Sequence, residues 1–269
     1  MVGARFYATL FGMTMSSGPT SLWQREWQAC HCAVTFLTRI PLPACQWQDA
    51  ALARSSMYFP LVGLLVGGLG ALVFNLAVPL WDSRIAVLLA MAAMLLLTGG
   101  FHEDGLADTA DGLGGGWSVE DKLRIMKDSR LGTYGALALV MALLLKFSLL
   151  SALPADAVAA ALILGQVLGR WAALPLIAFT PYVRGDGTGK PLVGGVTGKR
   201  LALATGFSLL VLLVLADAFF TVLLSLALLI ILWRWHCRRQ IGGITGDTLG
   251  AGNQLAELAV YLVLTALAR

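Results

Sequence analysis

Apolar residues fall in long, nearly unbroken runs, without the alternation of strands or the narrow stripe of a soluble helix. Read as spans, the runs cover about 57 to 80, 85 to 101, 132 to 153, 157 to 180 and 251 to 268, with a further stretch from 201 to 233. As a single helix that stretch would be about 50 Å long, well beyond a hydrocarbon core of about 30 Å. It is therefore expected to break near Asp217 into spans of about 201 to 216 and 218 to 233. Residues 23 to 40 carry Trp23, Arg25, Trp27, His31 and Arg39 among apolar neighbours, a pattern for a helix lying in the interface. Residues 1 to 22 resemble a secretory signal only weakly and show no A-x-A site, so a retained, poorly ordered extension is expected there. The fold class expected is all-α: a polytopic membrane bundle of about seven transmembrane helices plus an N-terminal interfacial helix. Residues 23 to 269 are expected to form a single transmembrane domain. Gly63 and Gly67, spaced for close helix approach, support packed spans.

Composition agrees. Of the 269 residues 58% are hydrophobic and 13% charged, about half the charge of a soluble domain. The net charge of +4 does not point to nucleic acid, because no basic, aromatic-interleaved patch accompanies it. It reflects where the cations sit. With the N-terminus inside, segments 1 to 56, 102 to 131, 181 to 200 and 234 to 250 hold 15 of the 19 Lys and Arg, an asymmetry that marks them as cytoplasmic. Cys30-His31-Cys32 and His236-Cys237 lack the spacing of a structural zinc site, and free thiols are expected at Cys30, Cys32, Cys45 and Cys237.

The densest chemistry lies in Gly99-Gly-Phe-His102-Glu103-Asp104-Gly-Leu-Ala-Asp108-Thr-Ala-Asp111-Gly112. Asp104, Asp108 and Asp111 are spaced i, i+4 and i+7, which puts three carboxylates on one helical face beside Ala107 and Ala110. Like charges so placed repel, so a cation is expected among them. Magnesium suits carboxylate oxygens, keeps several waters and completes its shell with phosphate. Glu103 is a further candidate ligand. Downstream, Lys122, Arg124, Lys127 and Arg130 follow within about twenty residues and fit a phosphate clamp, although alone they would read as a positive-inside flank. A third segment, Gly242-Gly-Ile-Thr245-Gly246-Asp247-Thr248-Leu249-Gly250-Ala-Gly252-Asn253, offers backbone amides to an anion and Asp247 to a metal, with Glu257 a turn later.

Arg170 lies inside the fourth span, where an unpaired charge is costly, and should meet a carboxylate or a substrate phosphate. Lys146, also within a span, is expected to snorkel and has no assigned role. His102 is open to three roles: general base, interface residue or metal ligand.

The runs at 101 to 112, 126 to 135 and Thr-Gly-Asp-Thr-Leu-Gly-Ala at 245 to 251 resemble those of the cobalamin synthase family, the adenosylcobinamide-GDP ribazoletransferases. Phe36-Leu-Thr-Arg39-Ile-Pro41 and Phe59-Pro60-Leu-Val-Gly63 are similar to its N-terminal pattern. The resemblance covers residue 30 to the end. It implies a bacterial inner-membrane transferase, with its active site facing the cytoplasm. Such an enzyme joins adenosylcobinamide-GDP to alpha-ribazole or its 5'-phosphate and releases GMP, with Mg2+ as cofactor. His102, Asp104, Asp108 and Asp111 would then be catalytic. Glu103, Asp104, Asp108, Asp111 and Asp247 would hold metal. Arg39, Arg124, Lys127, Asp128, Ser129, Arg130, Arg170, Thr245 and Asn253 would bind substrate or phosphate. Association into a homo-oligomer is left open.

Two other readings compete. Asp108-Thr-Ala-Asp111-Gly112 matches the opening of the CDP-alcohol phosphotransferase motif, but the Ala-Arg that should follow is missing. An ion-coupled transporter would enlist Asp217 and Glu257, and usually shows paired repeats that this chain lacks.

Overall fold

The computed structural model describes residues 21–43, 49–185, 187 and 189–268. The N-terminal extension therefore falls almost wholly outside the described residues. Helix α1 (Leu22–Leu37) begins at a capping box in which the Ser21 and Gln24 side chains each accept the other residue's backbone N–H, both at 3.2 Å. It exposes Trp23 and Trp27 and buries Ala29, Cys32, Ala33 and Leu37, as an interfacial helix does. After it come α2 (Asp49–Ser55), a single 3-10 turn, and α3 (Phe59–Ala77). Next are α4 (Ser83–Thr98), α5 (Phe101–Gly115), the short α6 (Val119–Ile125) and α7 (Thr133–Ala152). The chain ends in α8 (Ala155–Phe179), α9 (Gly198–Leu215), α10 (Phe219–Ile241) and α11 (Gly246–Leu267).

Every expected apolar run is helical. Among the described residues, five helical segments are long and apolar enough to cross a membrane alone: Ala51–Ala77, α7, α8, α9 and α10. Helices α4 and α5 pass that test only as a pair, bent by 86°. The last helix, α11, does not pass it, because Asp247, Asn253, Gln254 and Glu257 lower its hydropathy. The long stretch divides where expected, between Leu215 and Phe219.

Helix α8 is the centre, packed by α3, α11 and α9. The approach of α3 is set by glycine: a Cβ on Gly67 would stand 2.6 Å from the Ile163 Cα. Such small-residue contacts drive association where lipid removes any hydrophobic preference between helices. At the periphery α9 and α10 leave Leu213, Val214, Phe220 and Leu224 mostly exposed, a surface suited to lipid. The free-thiol expectation holds at Cys30 and Cys237. It does not hold at Cys32, which is disulfide-bonded, and Cys45 lies outside the described residues. Spacing along the chain carries no information on a covalent partner.

Candidate active site at the crossing of two polar helices

The turn between α4 and α5 explains the Gly99-Gly100 pair. Both residues are left-handed, with φ of 69° and 70°, a region that residues other than glycine rarely adopt in succession. Gly99 also lies under Arg39, whose Cδ would be 2.7 Å from any Cβ placed there. Arg39 itself is pinned by its backbone N–H, which donates to the Leu97 carbonyl at 2.7 Å.

From this turn α5 crosses α11 at backbone distance. A Cβ on Gly105 would lie 2.9 Å from the Asp247 carbonyl oxygen and 3.2 Å from the Gly250 Cα. The glycines of both motifs thus serve close packing, which brings Asp247 to the carboxylate face of α5. Along that face Asp104 is exposed, Asp108 half-buried and Asp111 buried. Asp108 stands within electrostatic reach of Asp104, Asp111 and Asp247, and of one opposing cation, Arg184. Arg184 Nη1 pairs with Asp247 Oδ2 at 2.6 Å. Among the described residues no three His, Cys, Asp or Glu side chains form a ready-made cage for a metal ion. One or two carboxylates completed by water and phosphate is how magnesium is usually held, so the donor set fits that ion.

Asp111 has a second task. Its two oxygens accept the backbone N–H groups of Gly132 at 2.7 Å and Gly135 at 2.8 Å, which caps the N-terminus of α7. Gly135 leaves no room for a side chain, since the carboxylate of Asp111 and the carbonyl of Ala107 press on it.

The expected phosphate clamp is turned outward here. The Arg124 side chain is 72% exposed and pairs with Asp121 at 3.1 Å. Arg130 is 87% exposed and pairs with Asp128 at 2.6 Å, holding that carboxyl down to about 2. Lys127 and Ser129 are exposed on the same turn. Thr245 is fully buried as the N-cap of α11, its hydroxyl accepting from the Thr248 N–H at 3.2 Å.

Inside the bundle, Glu103, Arg170 and Glu257 meet Lys146, which is paired inward instead of snorkelling as expected, and Gln166 and Tyr261, which sequence reasoning missed. Lys146 is buried at 4% exposure and pairs with Glu257 at 2.9 Å and Glu103 at 3.6 Å. Glu257 also accepts from Gln166 at 2.7 Å and Tyr261 at 3.0 Å. Arg170, 2% exposed, donates through Nη1 to the Gln166 side chain at 2.5 Å, so it reaches the carboxylate only through that amide. Among the described residues its Nε and Nη2 have no hydrogen-bond partner, nor does the Asn253 Nδ2. His102, Glu103, Lys146, Arg170 and Glu257 line a small cavity of about 20 Å³, the space of roughly one water. His102 therefore faces inward. A charged residue in mid-span was the available signal for Lys146. For Arg184, one cation in a glycine-rich loop, none was.

Outside this cavity, an open groove of about 550 Å³ is lined by Phe36, Arg39, Phe101, Glu103, Asp104 and Leu139 among others. Glu103 and Thr98 border both spaces. The site thus combines clustered carboxylates, a paired arginine and a groove lined by aromatic residues and Arg39.

Comparison with known proteins places this arrangement. The family model described as Cobalamin-5-phosphate synthase matches residues 29–265. An adenosylcobinamide-GDP ribazoletransferase of Shewanella woodyi is 51% identical over 86% of this chain and 93% of its own. Relatives of that name from Shewanella pealeana and Shewanella frigidimarina are 49% and 50% identical, each over 91% of this chain and 97% and 96% of theirs. No solved structure matches. With nearly its whole length covered, the chain belongs to the cobalamin-5-phosphate synthase family.

Proposed function

We propose that this chain is a membrane transferase that joins adenosylcobinamide-GDP to alpha-ribazole or its 5'-phosphate, releasing GMP. The observation that carries the reading is the Gly105 crossing, which gathers Asp104, Asp108 and Asp247 around one arginine at the rim of a groove. The ribose 3'-hydroxyl forms a bond to the phosphorus nearer the cobinamide, the bond from that phosphorus to the bridging oxygen breaks so that GMP leaves with that oxygen, and the hydroxyl proton passes to water. Asp104, Asp108 and Asp247 would hold Mg2+, which supplies charge neutralisation and Lewis acidity at the diphosphate. Asp111 orders the start of α7 so that the carboxylate face of α5 stays fixed. The groove walls of Phe36, Phe101 and Arg39 offer stacking and charge to a nucleotide. Arg124, near the end of α6, and Lys127 and Arg130, in the turn that follows, are exposed, so their long cationic side chains can swing to an entering anion.

The Lys and Arg asymmetry supports a bacterial inner-membrane location with this face towards the cytoplasm. A transporter would need Glu257 available for ion coupling, and here Lys146, Gln166 and Tyr261 enclose it. The test is to incubate membranes containing the protein with adenosylcobinamide-GDP and alpha-ribazole, with Mg2+ or with chelator. GMP and a cobamide should appear only with Mg2+. Absence of both products from well-expressed protein in Mg2+ would remove the assignment, and equal yield in chelator would remove the metal.

A further inference from the structure

Arg184 is the one residue of the acidic site that no motif predicted, and its surroundings ask for an explanation. Its side chain is 11% exposed, far less than Arg124 at 72% or Arg130 at 87%. Its hydrogen bonding is incomplete. Among the described residues, Nη1 makes the 2.6 Å pair with Asp247, Nη2 reaches only the Leu123 carbonyl at 3.4 Å, and Nε is buried without a hydrogen-bond partner. A guanidinium offers five N–H groups, and one this poorly used at such burial is costly unless another acceptor joins it.

Anchoring the loop is not a sufficient reason for the ion pair. Residues 181 to 183 are already tied to the entry of α11 by a parallel bridge between Tyr182 and Ile244. In it Val183 N–H donates to the Ile244 carbonyl at 3.0 Å and Ile244 N–H to the Pro181 carbonyl at 2.9 Å. The loop is held by backbone, and the guanidinium is projected from it into the carboxylates. There it supplies the positive charge that Asp104, Asp108 and Asp247 require of one another.

We propose that Arg184 is a diphosphate-binding residue held in place by Asp247 until a divalent cation takes over that carboxylate. This rests on the function proposed above. A divalent ion at Asp247 carries more charge than the guanidinium it replaces. The arginine, released at the same spot, meets the diphosphate oxygens, for which its planar fork is matched. Arg184 thereby competes with the metal in the free protein and assists the substrate in the complex.

The test uses the full-length protein in nanodiscs, with Mn2+ binding followed by the loss of its free-ion paramagnetic resonance signal. Adenosylcobinamide-GDP binding is followed separately by equilibrium dialysis in saturating Mn2+. In Arg184→Gln, Mn2+ without substrate should bind about tenfold more tightly, because a competing charge is gone. Adenosylcobinamide-GDP should bind about ten- to a hundredfold more weakly, as for a lost charge-assisted hydrogen bond. Opposite signs are the signature. Weakening of both ligands together, or Mn2+ affinity at or below that of the unsubstituted chain, would reduce Arg184 to a structural tie and overturn the proposal. Should Arg184→Gln fail to accumulate, Arg184→Lys keeps the charge without the fork. It should bind Mn2+ as the unsubstituted chain does and the diphosphate at least several-fold more weakly. Unchanged diphosphate affinity in that variant overturns the proposal too. An unsubstituted protein that turns over no adenosylcobinamide-GDP would refute the parent function, a result separable from any of these.

Discussion

Replacing Lys146 with Met removes a cation that pairs with the buried carboxylate of Glu257 at 2.9 Å and the partly buried one of Glu103 at 3.6 Å. Breaking a buried ion pair by removing one partner costs about 3–5 kcal/mol, because the other charge is left without compensation. Glu257 keeps its bonds from Gln166 and Tyr261, which places the expected loss near the lower end, about 3 kcal/mol. At roughly 2–4 °C per kcal/mol for a chain of this size, the melting temperature should fall by about 6–12 °C. The assay is thermal unfolding in detergent, read by size-exclusion of the fluorescently tagged protein after heating. A paired variant, Lys146→Met with Glu257→Gln, should recover part of the loss, since the stranded charge has been removed along with its partner. A melting temperature within 2 °C of the unsubstituted protein for Lys146→Met alone would show that the pair is not a stabilising link, whatever its distance (roughly the effect of under 1 kcal/mol).

The site makes further predictions. Asp108→Asn should lower turnover about a hundredfold at saturating Mg2+, by analogy with other electrostatic groups at reacting centres, and near-normal turnover would remove Asp108 from the metal site. Asp111→Ala strands the amide groups of Gly132 and Gly135 and should cost about 2 kcal/mol of thermal stability and weaken Mn2+ binding, since the carboxylate face of α5 is no longer held. Calorimetry together with Mn2+ titration checks both parts, and unchanged stability would contradict the capping role. Gly105→Val drives a branched side chain into the Asp247 carbonyl and the Gly250 backbone. It should separate α5 from α11 and abolish GMP release, whereas retention of more than about a tenth of the activity would show that the crossing need not be so close.

Much of the fold was legible because the bilayer imposes one rule on the whole chain: spans must be helical and apolar for a set length. That rule located the helices, the break near Asp217 and the small-residue contact at Gly63 and Gly67. The acidic stripe was equally legible, since helical periodicity fixes which of Asp104, Asp108 and Asp111 share a face. What periodicity leaves open is the surroundings of that face. Asp111 turned out to be covered by the N-terminus of α7, and Asp104 left exposed, although both follow from the same repeat.

The sequence by itself determined the class of protein, its apolar helices, the carboxylate repeat and the motifs by which it resembles its family, because each depends on neighbours along the chain. The tertiary structure alone decided which distant charges meet. Lys146 and Glu257 are 111 positions apart, and Arg184 and Asp247 are 63 apart by number, yet both pairs touch at 2.6 to 2.9 Å. Coulomb forces act through space, and only the packing of α5, α7, α8 and α11 sets those distances.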